Sequence, residues 1–135
     1  MIVTDASLIA YFSIHSEHSA LAEAVYGLDP DWAAPLLWRS EYLNTLAKYV
    51  QLHGMRVETA LLSLRTAEEI IGAREYRVAS EKVLELAAQS KCSAYDCEYL
   101  ALAMDLNVPL VTADKQILRE FPKIAVALEK FAKKK

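Results

Sequence analysis

Short apolar runs alternate along this chain with longer stretches whose apolar positions recur every three or four residues. The run at residues 2–4 leads straight into Asp5, which suits a helix cap, so the pattern predicts a strand followed by a helix over 6–12. A second helix is expected over 17–26, broken by the turn-forming residues 27–30, and a second strand over 31–34. Pro35 reads as the first position of the next helix, where its missing N–H would have had no partner. That helix should run over 36–52, with Leu36, Leu43, Leu46, Ala47 and Val50 as its apolar stripe. Glu41 and Asn44 lie one turn apart on a neighbouring face. Gly54 ends it, and a helix over 57–71 completes a hairpin packed through Leu61, Leu62, Leu64, Ile70 and Ile71.

The second half continues in the same way. A short strand is expected over 75–78, then a helix over 80–88 with Val83, Leu84, Leu86 and Ala87 inward. Ser93 caps a helix over 94–106, and residues 109–112 form a buried strand. Asp114 caps a short helix reaching Glu120, and residues 124–126 form a last strand. Strands alternating with helices predict a three-layer α/β/α sandwich around a central, mostly parallel sheet. At 135 residues, without a linker-like stretch, the chain is expected to form one domain over 1–135.

Composition narrows the function classes. The chain is 54% hydrophobic and 24% charged, as in ordinary globular proteins. No apolar run approaches the roughly 18 residues of a membrane span, and the first residues lack the basic and apolar segments of a secretory signal, so a cytoplasmic protein is expected. The formal charge of −3 argues against a broad basic surface for duplex DNA. It leaves room for a nucleic acid held through metal ions and a few local cations. Cys92 and Cys97 have no second pair to complete a zinc site and are expected to be small buried thiols. His15 and His18 are expected in a solvated turn, and Trp32 and Trp38 in the core. With three glycines there is no glycine-rich phosphate loop, and G-x-S-x-G and H-E-x-x-H are both absent.

Four acids remain. Asp5 follows the first strand, Asp114 follows the strand ending at Thr112, Asp96 sits in the first turn of its helix, and Glu41 in the second turn of another. Ligands of parallel sheets bind beyond the carboxyl ends of the strands, so all four are expected at one edge, close to the core. Pairs of carboxylates at about 5 Å and an effective dielectric near 20 repel by roughly 3 kcal/mol. Such a cluster calls for a divalent cation or for bound protons. Each acid also has a structural reading: Asp5 and Asp114 as helix caps, Ser93 with Asp96 as a capping box, Glu41 as a surface residue beside Arg39 or Lys48. The hydroxyls of Ser7 and Thr112 are placed to bond a carboxylate or a water. Arg39, Lys91, Lys115 and Arg119 are candidate phosphate contacts or plain surface charges, and Lys133 to Lys135 a solubilising tail.

Taken together, Asp5 with Ser7, Glu41 with Asn44, the run from Ser93 through Asp96 and Tyr99 to Ala103, and Thr112 with Asp114 resemble the PIN-domain family. Within it they are most similar to the VapC-type toxins of toxin–antitoxin pairs. The resemblance spans essentially the whole chain. It implies an endoribonuclease needing Mg²⁺ or Mn²⁺, with Asp5, Glu41, Asp96 and Asp114 as the catalytic acids. Asp5, Asp96 and Asp114 would be the metal ligands, and Ser7, Asn44 and Thr112 would support them or orient the RNA substrate. It also implies a homodimer and a small antitoxin protein as partner. The hairpin is more apolar than an isolated surface hairpin needs, so Tyr42, Tyr49, Leu61 and Leu62 are candidate contacts for such a partner or else finish the monomer core. Many relatives carry a further acid where this chain has Lys115 and Gln116, so the first metal position is implied more strongly than a second. The alternatives are a catalytically inactive PIN-fold binding module and a DNA-directed nuclease.

Overall fold

The computed structural model describes residues 1–133; Lys134 and Lys135, part of the expected tail, lie outside the described residues. Five strands form one parallel sheet: β1 (Ile2–Thr4), β2 (Trp32–Pro35), β3 (Glu75–Tyr76), β4 (Leu110–Thr112) and β5 (Ala125–Ala127), in the order β3-β2-β1-β4-β5. Helices flank it: α1 (Ala6–Ser13), α2 (Ser19–Leu28), α3 (Trp38–Leu52), α4 (Val57–Ile71), α5 (Ser80–Ala88), α6 (Ala94–Leu106), α7 (Lys115–Glu120) and α8 (Leu128–Ala132). α6 packs on β1, β2 and β4 with α5 against it, whereas α1 packs on β1 and β4 and gathers α2, α3 and α4. The expected α/β sandwich is therefore present, with every strand pair parallel.

The three inner strands β1, β2 and β4 are buried along their length, whereas the edge strands β3 and β5 are partly open. Ile2, Val3, Thr4, Leu110, Val111 and Thr112 are all inaccessible to solvent or nearly so, as expected when helices cover both faces of a sheet. Chain direction across the sheet reverses between β1 and β4, which lie side by side. Their carboxyl ends open a crevice at that point. Val3 is in register with Leu110 and Thr4 with Val111, which sets Asp5 beside Thr112.

Several expectations need correction. Pro35 does not start a helix: it ends β2, in register with Tyr76. The ladder there is carried by Ala34 N–H to the Arg74 carbonyl and Leu36 N–H to the Tyr76 carbonyl, so the residue between them needs no donor. α3 consequently begins at Trp38, its buried face is Trp38, Tyr42 and Leu46, and Leu36 lies outside it, half exposed. Tyr42 is fully buried, which removes it as a partner contact, and Ser13 shares a 2.6 Å hydrogen bond with its hydroxyl. Leu61, Leu62 and Leu84 face solvent rather than the core, while Leu64, Ile70, Ile71, Val83 and Leu86 are buried. α8 had no predicted counterpart.

Other local readings are borne out. Both tryptophans are fully buried, and Trp32 donates to the Asp29 carbonyl at 2.8 Å. Asp5 accepts from Leu8 N–H, Ser93 from Asp96 N–H and Asp114 from Ile117 N–H, at 2.9, 3.1 and 3.0 Å. Cys92 and Cys97 are buried on either side of the Ser93 cap, at the two positions where apolar residues staple a helix entry. Among the described residues, no helix is long and apolar enough to cross a membrane.

The two faces of α4 make a direct check. Leu64→Ala should destabilise the protein by about 2–4 kcal/mol through cavity formation, whereas Leu62→Ala should change stability by less than about 0.5 kcal/mol. Urea denaturation of both variants measures the difference; equal losses would place the wrong face of α4 inward.

Candidate active site

A cavity of about 350 Å³ opens at the carboxyl ends of β1 and β4 and is lined by Asp5, Ser7, Glu41, Asn44, Asp96 and Asp114, together with Tyr11, Thr45, Tyr99 and Ile117. Six of the seven residues singled out from the sequence thus share one pocket. The seventh, Thr112, lies directly behind it. Its buried hydroxyl donates to Asp5 Oδ2 and accepts from Asp114 N–H at 3.0 Å. One threonine therefore ties the ends of the two central strands together.

Backbone and hydroxyl donors, rather than cations, hold the acids. Asp5 caps α1 through Oδ1 and receives Thr112 on Oδ2. Glu41 receives the Tyr99 hydroxyl on Oε1 at 2.7 Å. Tyr99 is nearly inaccessible, and burial followed by the Glu41 contact pushes its phenol far above the usual range, so it stays a donor. Arg39 pairs with Glu68 at 3.2 Å instead of with Glu41. Among the described residues, no lysine or arginine lines this pocket, and none of the four acids takes part in an ion pair.

The charges feel one another in a closed ring. Asp5 is raised to about 6 from 3.8, first by burial and then, against the pull of Thr112 and Leu8, by Asp114 and Glu41. Asp96 is raised by burial and by Asp114, while hydrogen bonding from Ser93 opposes the shift. Glu41 is raised by burial and by Asp96 and Glu98, with Tyr99 opposing. Burial is the leading cause in each case. The acids are less enclosed than expected, however: Asp5, Glu41 and Asp96 are half-buried and Asp114 is exposed.

Hard oxygen donors with uncompensated charge suit a hard divalent cation. Among the described residues, though, no three Asp, Glu, His or Cys side chains are arranged to enclose a metal ion. The caps explain this spacing, because Asp5 Oδ1 and Asp114 Oδ1 are directed at their own helix N-termini. Such a site fits an ion that keeps most of its water and takes one or two carboxylates, the habit of Mg²⁺, better than a closed protein cage.

Tyr99 and Tyr11 were given no role by the sequence reading. Both had a local signal: Tyr99 follows Asp96 by three residues and Tyr11 follows Ser7 by four, so each shares a helix face with a site residue.

Fold and site together define an α/β protein with an uncompensated carboxylate site at the switch point of a parallel sheet. The sequence matches the PIN domain family over residues 2–124, and the chain belongs to that family. It is 28% identical over 124 residues to Ribonuclease VapC3 of Pyrobaculum aerophilum, covering 90% of this chain and 95% of that protein. Its fold is similar to the crystal structure of PAE2754 from Pyrobaculum aerophilum, with a TM-score of 0.73, 23% identity and coverage of 97% and 92% of the two chains. A toxin–antitoxin complex from Klebsiella pneumoniae is also similar in fold, with a TM-score of 0.67, 16% identity and coverage of 95% and 98%.

The raised Asp5 carboxyl predicts an unusual stability profile without metal. The folded chain holds a proton that the unfolded chain releases, so this contribution is complete below about pH 4 and is lost as pH rises through about 6. Two pKa units set a ceiling near 3 kcal/mol, lowered because the carboxyl is partly open to water. Denaturation midpoints in EDTA between pH 5 and 7.5 should fall more steeply for the native protein than for Asp5→Asn, which keeps the helix cap. Parallel profiles would show that Asp5 is not strained.

Proposed function

We propose that this protein is a Mg²⁺- or Mn²⁺-dependent endoribonuclease that acts as the toxin of a toxin–antitoxin pair. The observation that carries the reading is the ring of four carboxylates in one cavity, held by caps and hydroxyls and, among the described residues, balanced by no cationic side chain of the cavity wall. The relative named Ribonuclease VapC3 and the toxin–antitoxin complex of similar fold support the class of reaction and of partner.

Asp5, Asp96 and Asp114 are the side chains that would hold the metal, directly or through its waters. When bound, the divalent cation supplies charge neutralisation at the phosphate and a more acidic water. The chain's own residues do the rest. Glu41, with Oε1 fixed by Tyr99, keeps Oε2 free to orient a water or accept its proton. Thr112 sets the direction of the Asp5 carboxyl and the spacing to Asp114. Asn44 and Ser7 stand at the pocket wall, where their polar groups can meet the RNA strand.

The antitoxin, and a second copy of the chain, are proposed for the α3–α4 hairpin. A wholly apolar groove there is lined by Leu43, Val50, Val57, Leu61 and Leu64 among others, and α4 exposes Leu61 and Leu62 to solvent.

One observation favours a second reading. The open spacing of the carboxylates is what a catalytically inactive binding module would also show. Purified protein separates the two. Mg²⁺- or Mn²⁺-dependent cleavage of single-stranded RNA is expected, and Asp5→Asn or Asp96→Asn should lower it by at least about a thousandfold while leaving the fold intact. Asp5→Asn should at the same time be more stable than the native protein in EDTA at neutral pH. RNA cleavage that survives Asp5→Asn unchanged would exclude this pocket as the site.

A further inference from the structure

Tyr11 is the residue of the acid pocket whose chemistry is still unassigned. It lies one turn after Ser7 on α1, is half-buried, and lines the cavity with the four acids. The His18 ring backs its own at a centroid distance of 4.4 Å, tilted by 32°. Ser19 Oγ donates to the Tyr11 backbone carbonyl at 2.9 Å, so the turn between α1 and α2 holds both rings. Three other hydroxyls nearby are engaged: Tyr99 with Glu41, Thr112 with Asp5 and Asp114, and Thr45 with the Glu41 carbonyl at 3.3 Å. Among the described residues, this leaves Tyr11 and the short side chain of Ser7 as hydroxyls facing the cavity. The phenolic hydroxyl of Tyr11 makes no hydrogen bond to any described residue.

A phosphodiester entering this pocket meets carboxylates, and among the described residues the cavity wall offers it no lysine or arginine. A cationic side chain at the wall would be captured by the acids. A neutral phenol is not, and it stays protonated at any physiological pH. An O–H donated to an ionised phosphate oxygen is a charge-assisted hydrogen bond, among the stronger kinds. A ring already held in place loses little freedom in making it.

We propose that Tyr11 is a substrate-contacting residue whose phenolic O–H donates to a phosphate oxygen of single-stranded RNA beside the scissile bond. This rests on the ribonuclease reading. It adds a rigidly held neutral donor by which an acidic pocket grips an anionic chain.

Tyr11→Phe removes the hydroxyl and keeps the ring against His18. Two measurements on the full chain with Mn²⁺ test it: cleavage kinetics on single-stranded RNA, and anisotropy binding of a fluorescent 2′-O-methylated strand that resists cleavage. Tyr11→Phe should raise both KM and the dissociation constant about tenfold, lower kcat by no more than about threefold, and leave Mn²⁺ uptake by calorimetry unchanged. Native protein and variant should converge on a strand carrying a neutral methylphosphonate at the contacted phosphate. Native-like KM and binding in Tyr11→Phe would overturn the assignment while leaving the ribonuclease reading intact. A native protein that binds the strand tenfold more tightly than Tyr11→Phe yet cuts no RNA would sustain the contact and defeat the ribonuclease reading.

Discussion

Mutual repulsion among four carboxylates is the constraint around which the rest of the molecule is arranged. Each acid is held by neutral donors that belong to the scaffold: helix N–H groups for Asp5 and Asp114, the Ser93 cap for Asp96, a buried phenol for Glu41. Helix caps are cheap and local, and they fix a carboxylate without neutralising it. Burial and neighbouring charge then raise Asp5, Glu41 and Asp96 together. An arginine in the pocket would relieve that strain by pairing with the carboxylates.

The fold supplies the convergence. Parallel pairing of β1 with β4, in a register that sets Asp5 beside Thr112, brings together residues more than a hundred positions apart. Because the strand order turns at that pair, the helices that follow diverge and leave a crevice. Burial of β1 and β4 along their length makes the crevice floor rigid. The neutral hydroxyls of Thr112 and Tyr99 then fix the carboxylates without adding charge.

Much of this could be read from residue order. The caps at Asp5, Ser93 and Asp114 and the bounds of α4, α5 and α6 depend on local signals, and those expectations match the structure. The strands after β1 are shifted by a residue or, like β3 at two residues rather than four, shorter than expected. What failed depended on tertiary context. Pro35 looked like a helix start until β3 supplied a strand partner. Leu61, Leu62 and Leu84 carry helical spacing as well as their buried neighbours do, and periodicity cannot choose between adjacent faces of one helix. The five-residue α8 is too short to show a period. Within the site, the acids' meeting at one edge followed from topology, but their open spacing is set by which oxygen each cap occupies, and no pattern in the chain encodes that.

Crystals grown with manganese and measured at its absorption edge test the central claim most directly. The account predicts one strong anomalous peak in the pocket, within reach of Asp5, Asp96 and Asp114, that is lost in Asp5→Asn. A native pocket without such a peak at saturating manganese would contradict it.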